Sequence, residues 1–180
     1  NGSNDILELV ARTFLSINDE AIYSEHAFAV YSLVVKAVGA KGIEVPANNY
    51  AHDLDQFLLA INEKTRVIYI ANPNNPTGTL IDKSILRSFL DNVPNNIVVV
   101  LDEAYDEYLD DELKSEAFSW IAKYENLLIS RSFSKAYGLA GLRLGYGVSS
   151  VDLIEVMNRI RQPFNVNNLA QIAAVASLDD

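Results

Sequence analysis

"NIVVVLDEAY", residues 96–105, sets an unbroken apolar run, Ile97 to Leu101, directly against two carboxylates and a tyrosine. A strand with one wet face alternates apolar and polar residues; this one does not, so both its faces are expected to be covered. Its β-branched content favours a strand over a short buried helix. "TRVIYIANP" (65–73) and "NLLISRS" (126–132) repeat the pattern: an apolar run, then polar residues where the strand ends. Strands buried on both faces belong to parallel sheets with helices packed on each side.

Helical segments lie between them. "SNDILELVARTFL" carries Ile6, Leu7, Leu9, Val10, Phe14 and Leu15 at helical spacing, with Ser3 or Asn4 as the expected N-cap. "AIYSE" and "KGIEVPA" read as strands, and "FAVYSLVVKAVGA" between them as a helix closing near Gly39. Helices are expected in "DLDQFLLAIN", with Asp53 near its start, and in "DKSILRSFLDNV", "AFSWIAKYE" and "VDLIEVMNRIR"; "GLRLGYGVSS" is expected to be a strand. This alternation predicts an α/β fold, a three-layer α/β/α sandwich with a mostly parallel sheet.

Composition narrows the function. Of the 180 residues 49% are hydrophobic, which sets the chain apart from disordered sequences. The net charge of −10 argues against nucleic acid, whose binders need a basic face. Without cysteine there is neither a disulfide nor a thiolate zinc site, which fits a reducing, cytoplasmic setting. His26 and His52 stand apart without metal-pair spacing, so no metal is expected. No apolar run approaches the ~20 residues of a membrane helix. Asn1-Gly2-Ser3 runs straight into a helical pattern and "QIAAVASLDD" stops just after one, so residues 1–180 are expected to be one piece of a longer chain.

Ligands of open parallel sheets bind beyond the carboxyl ends of the strands. Asn75, Asp102, Tyr105, Ser132, Ser134 and Lys135 follow three such ends and should converge, and Ser3 and Asn4 at a helix N-terminus suit an anion. A lysine, a carboxylate, a phenol, an amide, hydroxyls and the arginine of "RSFSKAYGLAGLRLGYG" (131–147) match the parts of pyridoxal phosphate. Its aldehyde takes a lysine as a Schiff base, its ring nitrogen a carboxylate, its phenolic oxygen donors, and its phosphate an arginine, hydroxyls and a helix N-terminus. "SFSK" also fits the S-x-x-K pattern of serine acyl-enzymes, but the accompanying S-D-N and K-T-G are missing.

"NGSND", "AFAVY", "NPNNPTG", "DEAYDEY", "SFSKAYGLAGLRLGYG" and "RQPFNVNNLAQ", in that order, resemble the fold-type I pyridoxal-phosphate aminotransferases, most closely the histidinol-phosphate aminotransferase group. The resemblance implies that Lys135 bonds the aldehyde and then moves a proton, with a pKa lowered by burial and cationic neighbours. It implies that Asp102 pairs with the ring nitrogen, that Tyr105 and Asn75 bind the phenolic oxygen, and that Phe28 stacks on the ring. Arg143, Ser132, Ser134, Ser3 and Asn4 take the phosphate. Asn72 and Asn74 are expected to serve the turn only, and Tyr31 to pack or sit behind the site. The implied reaction is transamination between L-histidinol phosphate and 2-oxoglutarate, in a homodimer. The family's N-terminal arm and C-terminal small domain are absent, and the arginine for the substrate carboxylate would lie beyond residue 180. Two alternatives stand: another enzyme of this fold, such as an aromatic aminotransferase or a decarboxylase, or a cofactor-binding fragment without turnover.

Overall fold

Six strands form one sheet in the computed structural model, which describes residues 1–178. They are β1 (Glu20–Ser24), β2 (Lys41–Val45), β3 (Thr65–Ala71), β4 (Val98–Asp102), β5 (Leu127–Ser132) and β6 (Gly145–Val148). Their order across the sheet is β2-β1-β3-β4-β5-β6. The first five are mutually parallel and β6 runs antiparallel to β5, so the sheet is mostly parallel as expected.

The uninterrupted apolar strands feed two cores. In β3, Val67, Tyr69 and Ala71 face one side, where they meet Leu7 and Val10 of α1 (Ser3–Phe14) and Tyr31 and Val35 of α2 (Val30–Ala37). Ile68 and Ile70 face the other, against Phe57 of α3 (Leu54–Ala60) and Leu86 and Phe89 of α4 (Lys83–Asn92). β4 divides likewise, Val98 and Val100 to the first core, Val99 and Leu101 to the second. α5 (Val151–Asn158) adds Leu153 and Met157 to the first. Each fully buried side chain of this size contributes about 1.5–3 kcal/mol. The same two-residue period places Asp102 on the α1–α2 side of the sheet and sends Glu103 to the other. α6 (Asn168–Leu178) ends the described chain; Asp179 and Asp180 of "QIAAVASLDD" lie outside the described residues.

Caps set several helix starts. Asp53 accepts a hydrogen bond from the Gln56 amide at 3.1 Å and Asp82 from the Ser84 amide at 2.7 Å. Three expectations need correction. Neither Ser3 nor Asn4 caps α1: Gly2 does so at φ 83 with no side-chain bond, leaving both residues in the first turn. "AFSWIAKYE" forms only a 3-10 turn, Ala117–Trp120, because Glu116 enters it in the left-handed region and no side chain caps it. "GLRLGYGVSS" is a strand only at Gly145–Val148, since Ala140–Leu142 makes a 3-10 turn and Arg143 sits at φ 59.

Phe57 is fully buried between the second core's helices, and its neighbour Leu59 is 77% exposed. Urea unfolding of Phe57→Ala should show a loss of about 3–5 kcal/mol, and that of Leu59→Ala a change within about 0.5 kcal/mol.

Candidate active site

Beyond the carboxyl ends of β3, β4 and β5 lies a cleft lined by all ten residues singled out in the sequence: Ser3, Asn4, Phe28, Asn75, Asp102, Tyr105, Ser132, Ser134, Lys135 and Arg143. Tyr31, Ala71, Pro73 and Ala104 complete the wall. Ala71 and Asp102 are paired across β3 and β4, and Asp102 and Ser130 across β4 and β5, so sheet register alone aligns three of the contributing segments.

Asp102 forms the floor of the cleft. It is 5% exposed, and burial pushes its carboxyl up to about 6 from the ordinary 3.8. The Tyr31 hydroxyl, the Ala104 amide and the charge of Lys135 act in the opposite direction. Tyr31 donates to Oδ2 at 2.9 Å. Oδ1, on the same buried group, has no hydrogen-bond partner among the described residues. A buried carboxylate oxygen left in this way carries a desolvation cost that a donor in the cleft would remove.

The opposite end is basic and rich in free donors. α1 begins at Ser3, so the amides of Ser3 and Asn4 belong to the unpaired first turn of a helix. Arg143 reaches across with Nη1 donating to Ser134 Oγ at 3.4 Å and to the Ala140 carbonyl at 2.9 Å, and with Nη2 donating to the Asn1 carbonyl at 3.5 Å. Ser132 Oγ accepts from the Ser134 amide at 3.0 Å. Two glycines make this approach possible. A methyl on Gly145 would lie 2.8 Å from the Gly2 carbonyl carbon and 2.9 Å from the Arg131 oxygen, and one on Gly2 would lie 2.7 Å from Arg143 Nη2. The chain as a whole carries −10, yet this end gathers an arginine and a helix N-terminus.

Between the two ends stand Asn75, Tyr105, Phe28 and Lys135. The loop carrying Asn75 is fastened from within: Asn72 bonds Ile81 through both side-chain atoms, and Asn74 donates to the His26 carbonyl at 2.7 Å and to Thr77 Oγ1 at 2.8 Å. Asn72 and Asn74 thus serve the turn, as their place in a Pro/Asn/Gly loop implied. Phe28 meets Tyr31 edge-on, centroids 5.9 Å apart. Lys135 Nζ lies 5.2 Å from the centre of the Tyr105 ring. The lysine is exposed, contrary to the burial expected of it, because it stands in the turn after β5 at the mouth of the cleft.

One network escaped the sequence reading. On the sheet face opposite Asp102, Arg131 donates to Glu103 Oε2 from Nε at 3.0 Å and from Nη2 at 2.7 Å. Nη2 also lies 2.7 Å from Asp106 Oδ2, Nη1 lies 3.4 Å from Glu107 Oε1, and Phe118 covers the guanidinium at 4.5 Å. These contacts bind the segment flanking Tyr105 to the strand that carries Ser132. The available signal was an arginine inside an apolar strand, with a glutamate beside Asp102 on the neighbouring one.

Fold and site together define an α/β domain whose cleft, at the carboxyl edge of the sheet, runs from a buried carboxylate past a lysine to an arginine and a helix N-terminus. The chain belongs to the aminotransferase class I and II family, whose model matches residues 1–180. It is 66% identical over 180 residues to histidinol-phosphate aminotransferase of Methylobacillus flagellatus, covering 100% of this chain and 49% of that protein. It is 58% identical to histidinol-phosphate aminotransferase 1 of Idiomarina loihiensis, with the same coverage of each. The chain therefore spans about half the length of the curated relatives it matches. Among solved structures it resembles histidinol-phosphate aminotransferase from Sinorhizobium meliloti in complex with pyridoxal-5'-phosphate (TM-score 0.94, 28% identity, 99% of this chain and 49% of that one). It also resembles L-threonine-O-3-phosphate decarboxylase from Porphyromonas gingivalis (TM-score 0.86, 27% identity, 99% and 52%).

Two outcomes follow from this geometry. Asp102 is protonated in folded and unfolded chains alike below about pH 4, and above about pH 6 the folded chain bears a buried charge costing about 3 kcal/mol. Without ligand, Asp102→Asn should therefore unfold at higher urea than the native protein at pH 7.5, and this advantage should disappear on acidification to pH 4. Gly145→Ala should lose about 1–3 kcal/mol in the same assay, because the start of α1 must move away from β6.

Proposed function

We propose that these residues form the cofactor-binding large domain of a pyridoxal-phosphate-dependent aminotransferase, with L-histidinol phosphate as amino donor and 2-oxoglutarate as acceptor. The observation that carries the reading is the unpartnered Oδ1 of buried Asp102, facing a cleft whose other end gathers Arg143, two serines and the start of α1. A protonated ring nitrogen would satisfy the first and a phosphate the second. The choice of donor is supported by the 66% identity to the Methylobacillus enzyme. Coverage of about half of each relative supports a longer protein with further domains. A homodimer is proposed as well, supported by the apolar residues Leu169, Ile172 and Val175 left exposed on α6.

Pyridoxal phosphate, when bound, supplies an aldehyde that takes up the donor's amine and a protonated ring that accepts electrons from the substrate carbon. The chain does the rest. Asp102 keeps a proton at the ring nitrogen. Asn75 and Tyr105 donate to the phenolic oxygen, and Phe28 covers a ring face. Ser132, Ser134, Arg143 and the amides of Ser3 and Asn4 hold the phosphate dianion. Lys135 Nζ would take the aldehyde carbon with loss of its oxygen as water and, as a free amine once the donor has replaced it there, would move the proton of the substrate carbon.

The test uses the intact protein, incubated with pyridoxal phosphate and reduced with borohydride. The reduced label should map to Lys135, and Lys135→Ala should lose transamination by about 10²–10⁴-fold or more. Label on another lysine overturns the assignment. Carbon dioxide release from an amino acid, with no amino transfer from histidinol phosphate, overturns the reaction in favour of a decarboxylase.

A further inference from the structure

Tyr31 belongs to the wall of the cleft, but the chemistry above gives it no part. Its side chain is fully buried, and its hydroxyl donates to Asp102 Oδ2 at 2.9 Å. Neighbouring rings fix its position. Tyr69 stacks on one face, with centroids 5.0 Å apart and planes 11° apart, and Phe28 meets it edge-on at 88°. Tyr69 is itself tied to α1, donating to the Leu7 carbonyl at 3.2 Å. Tyr31 therefore has no space into which to swing away from the carboxylate.

We propose that Tyr31 is a positioning residue that occupies Oδ2 of Asp102 and thereby keeps the carboxylate an anion with Oδ1 left for a donor. The proposal extends the reading of Asp102 as the partner of the ring nitrogen and rests on that reading for its consequence. Two features make the phenol a donor and nothing else. Burial, and then the charge of Asp102, hold its proton far more tightly than an ordinary tyrosine's. And Asp102 is its only hydrogen-bond partner among the described residues. The other groups facing Asp102 are Lys135 and Tyr105 from the cleft, with Tyr69 behind Tyr31. Among the described residues, Tyr31 is the one charged or hydroxyl-bearing side chain hydrogen-bonded to the carboxylate. A hydrogen bond to the charged form favours that form. Its removal leaves Asp102 both buried and short of a partner, so the carboxylate takes the proton for itself.

The experiment follows the infrared band of the protonated carboxyl against pH in the intact protein without cofactor, with Asp102→Asn identifying the band. In Tyr31→Phe, which keeps the ring and its stacking, the midpoint should rise by about one pH unit, a tenfold gain in proton affinity. Affinity for pyridoxal phosphate should fall by about twofold at pH 7, where half of the variant's Asp102 is still ionised, and by about tenfold at pH 5. Tyr69→Phe, which leaves the Tyr31 hydroxyl in place, should not move the midpoint. If Tyr31→Phe folds poorly, 3-fluorotyrosine at position 31, a more acidic donor, should lower the midpoint. An unchanged midpoint in a natively folded Tyr31→Phe, or a rise with the fluorinated residue, overturns the proposal. If the midpoint shifts as expected but the native protein takes up no pyridoxal phosphate, the reading of the site fails while the coupling of Tyr31 to Asp102 stands.

Discussion

A carboxylate is buried at the end of an apolar strand, and the other parts of the site are arranged around that fact. Asp102 follows Val98–Leu101, a run whose side chains are taken up by two cores, so the sheet delivers it to a place from which water is largely excluded. An isolated charge there would be very costly. The site offsets the cost with a phenol, a backbone amide and a distant lysine, and still leaves one oxygen unpartnered. The residual instability lies where a ligand with an N–H can relieve it, a common trade between stability and function.

The basic end depends on close approach rather than on burial. α1 meets β6 only because Gly145 has no side chain, and Arg143 passes over Gly2 for the same reason. Arg143 adopts a left-handed backbone, uncommon for any residue but glycine, and this turn aims its guanidinium at Ser134 and the first residues of the chain. The distance between the two ends is kept by rigid elements. β3, β4 and β5 are hydrogen-bonded in register, and on the far face Arg131 joins Glu103 to the segment after Tyr105. A strand pair locked on one side of the sheet holds its catalytic-side residues in place on the other.

Much of this was readable in the residues. Strands without alternation implied a sheet covered on both faces, and the polar residues after Ala71, Leu101 and Ser130 marked where a ligand would sit. Eight of the ten candidates could be collected because each follows a strand end or opens a helix; Arg143 came from its motif and Phe28 from the family resemblance. Tyr31 could not, since an apolar helix face with a tyrosine on it reads as packing. The charges of Arg131 and Glu103 were visible, but nothing along the chain says that residues 28 positions apart are in contact. The 3-10 turn at Ala117–Trp120 was misread because its apolar residues suit a helix, while Glu116 enters it with a left-handed backbone.

By itself, then, the sequence determined the layers, the mostly parallel sheet and the set of side chains brought to one edge. These follow from local periodicity and from the rule that strand ends carry the ligand, and both are properties of residues close together in the chain. Only the tertiary structure decided which oxygen of Asp102 is held by Tyr31, which glycines let α1 and Arg143 close in, and that Lys135 stands open at the mouth of the cleft. Those outcomes depend on register and packing between elements, across separations as large as the 142 residues from Asn1 to Arg143. Distances of that kind leave no trace in local pattern.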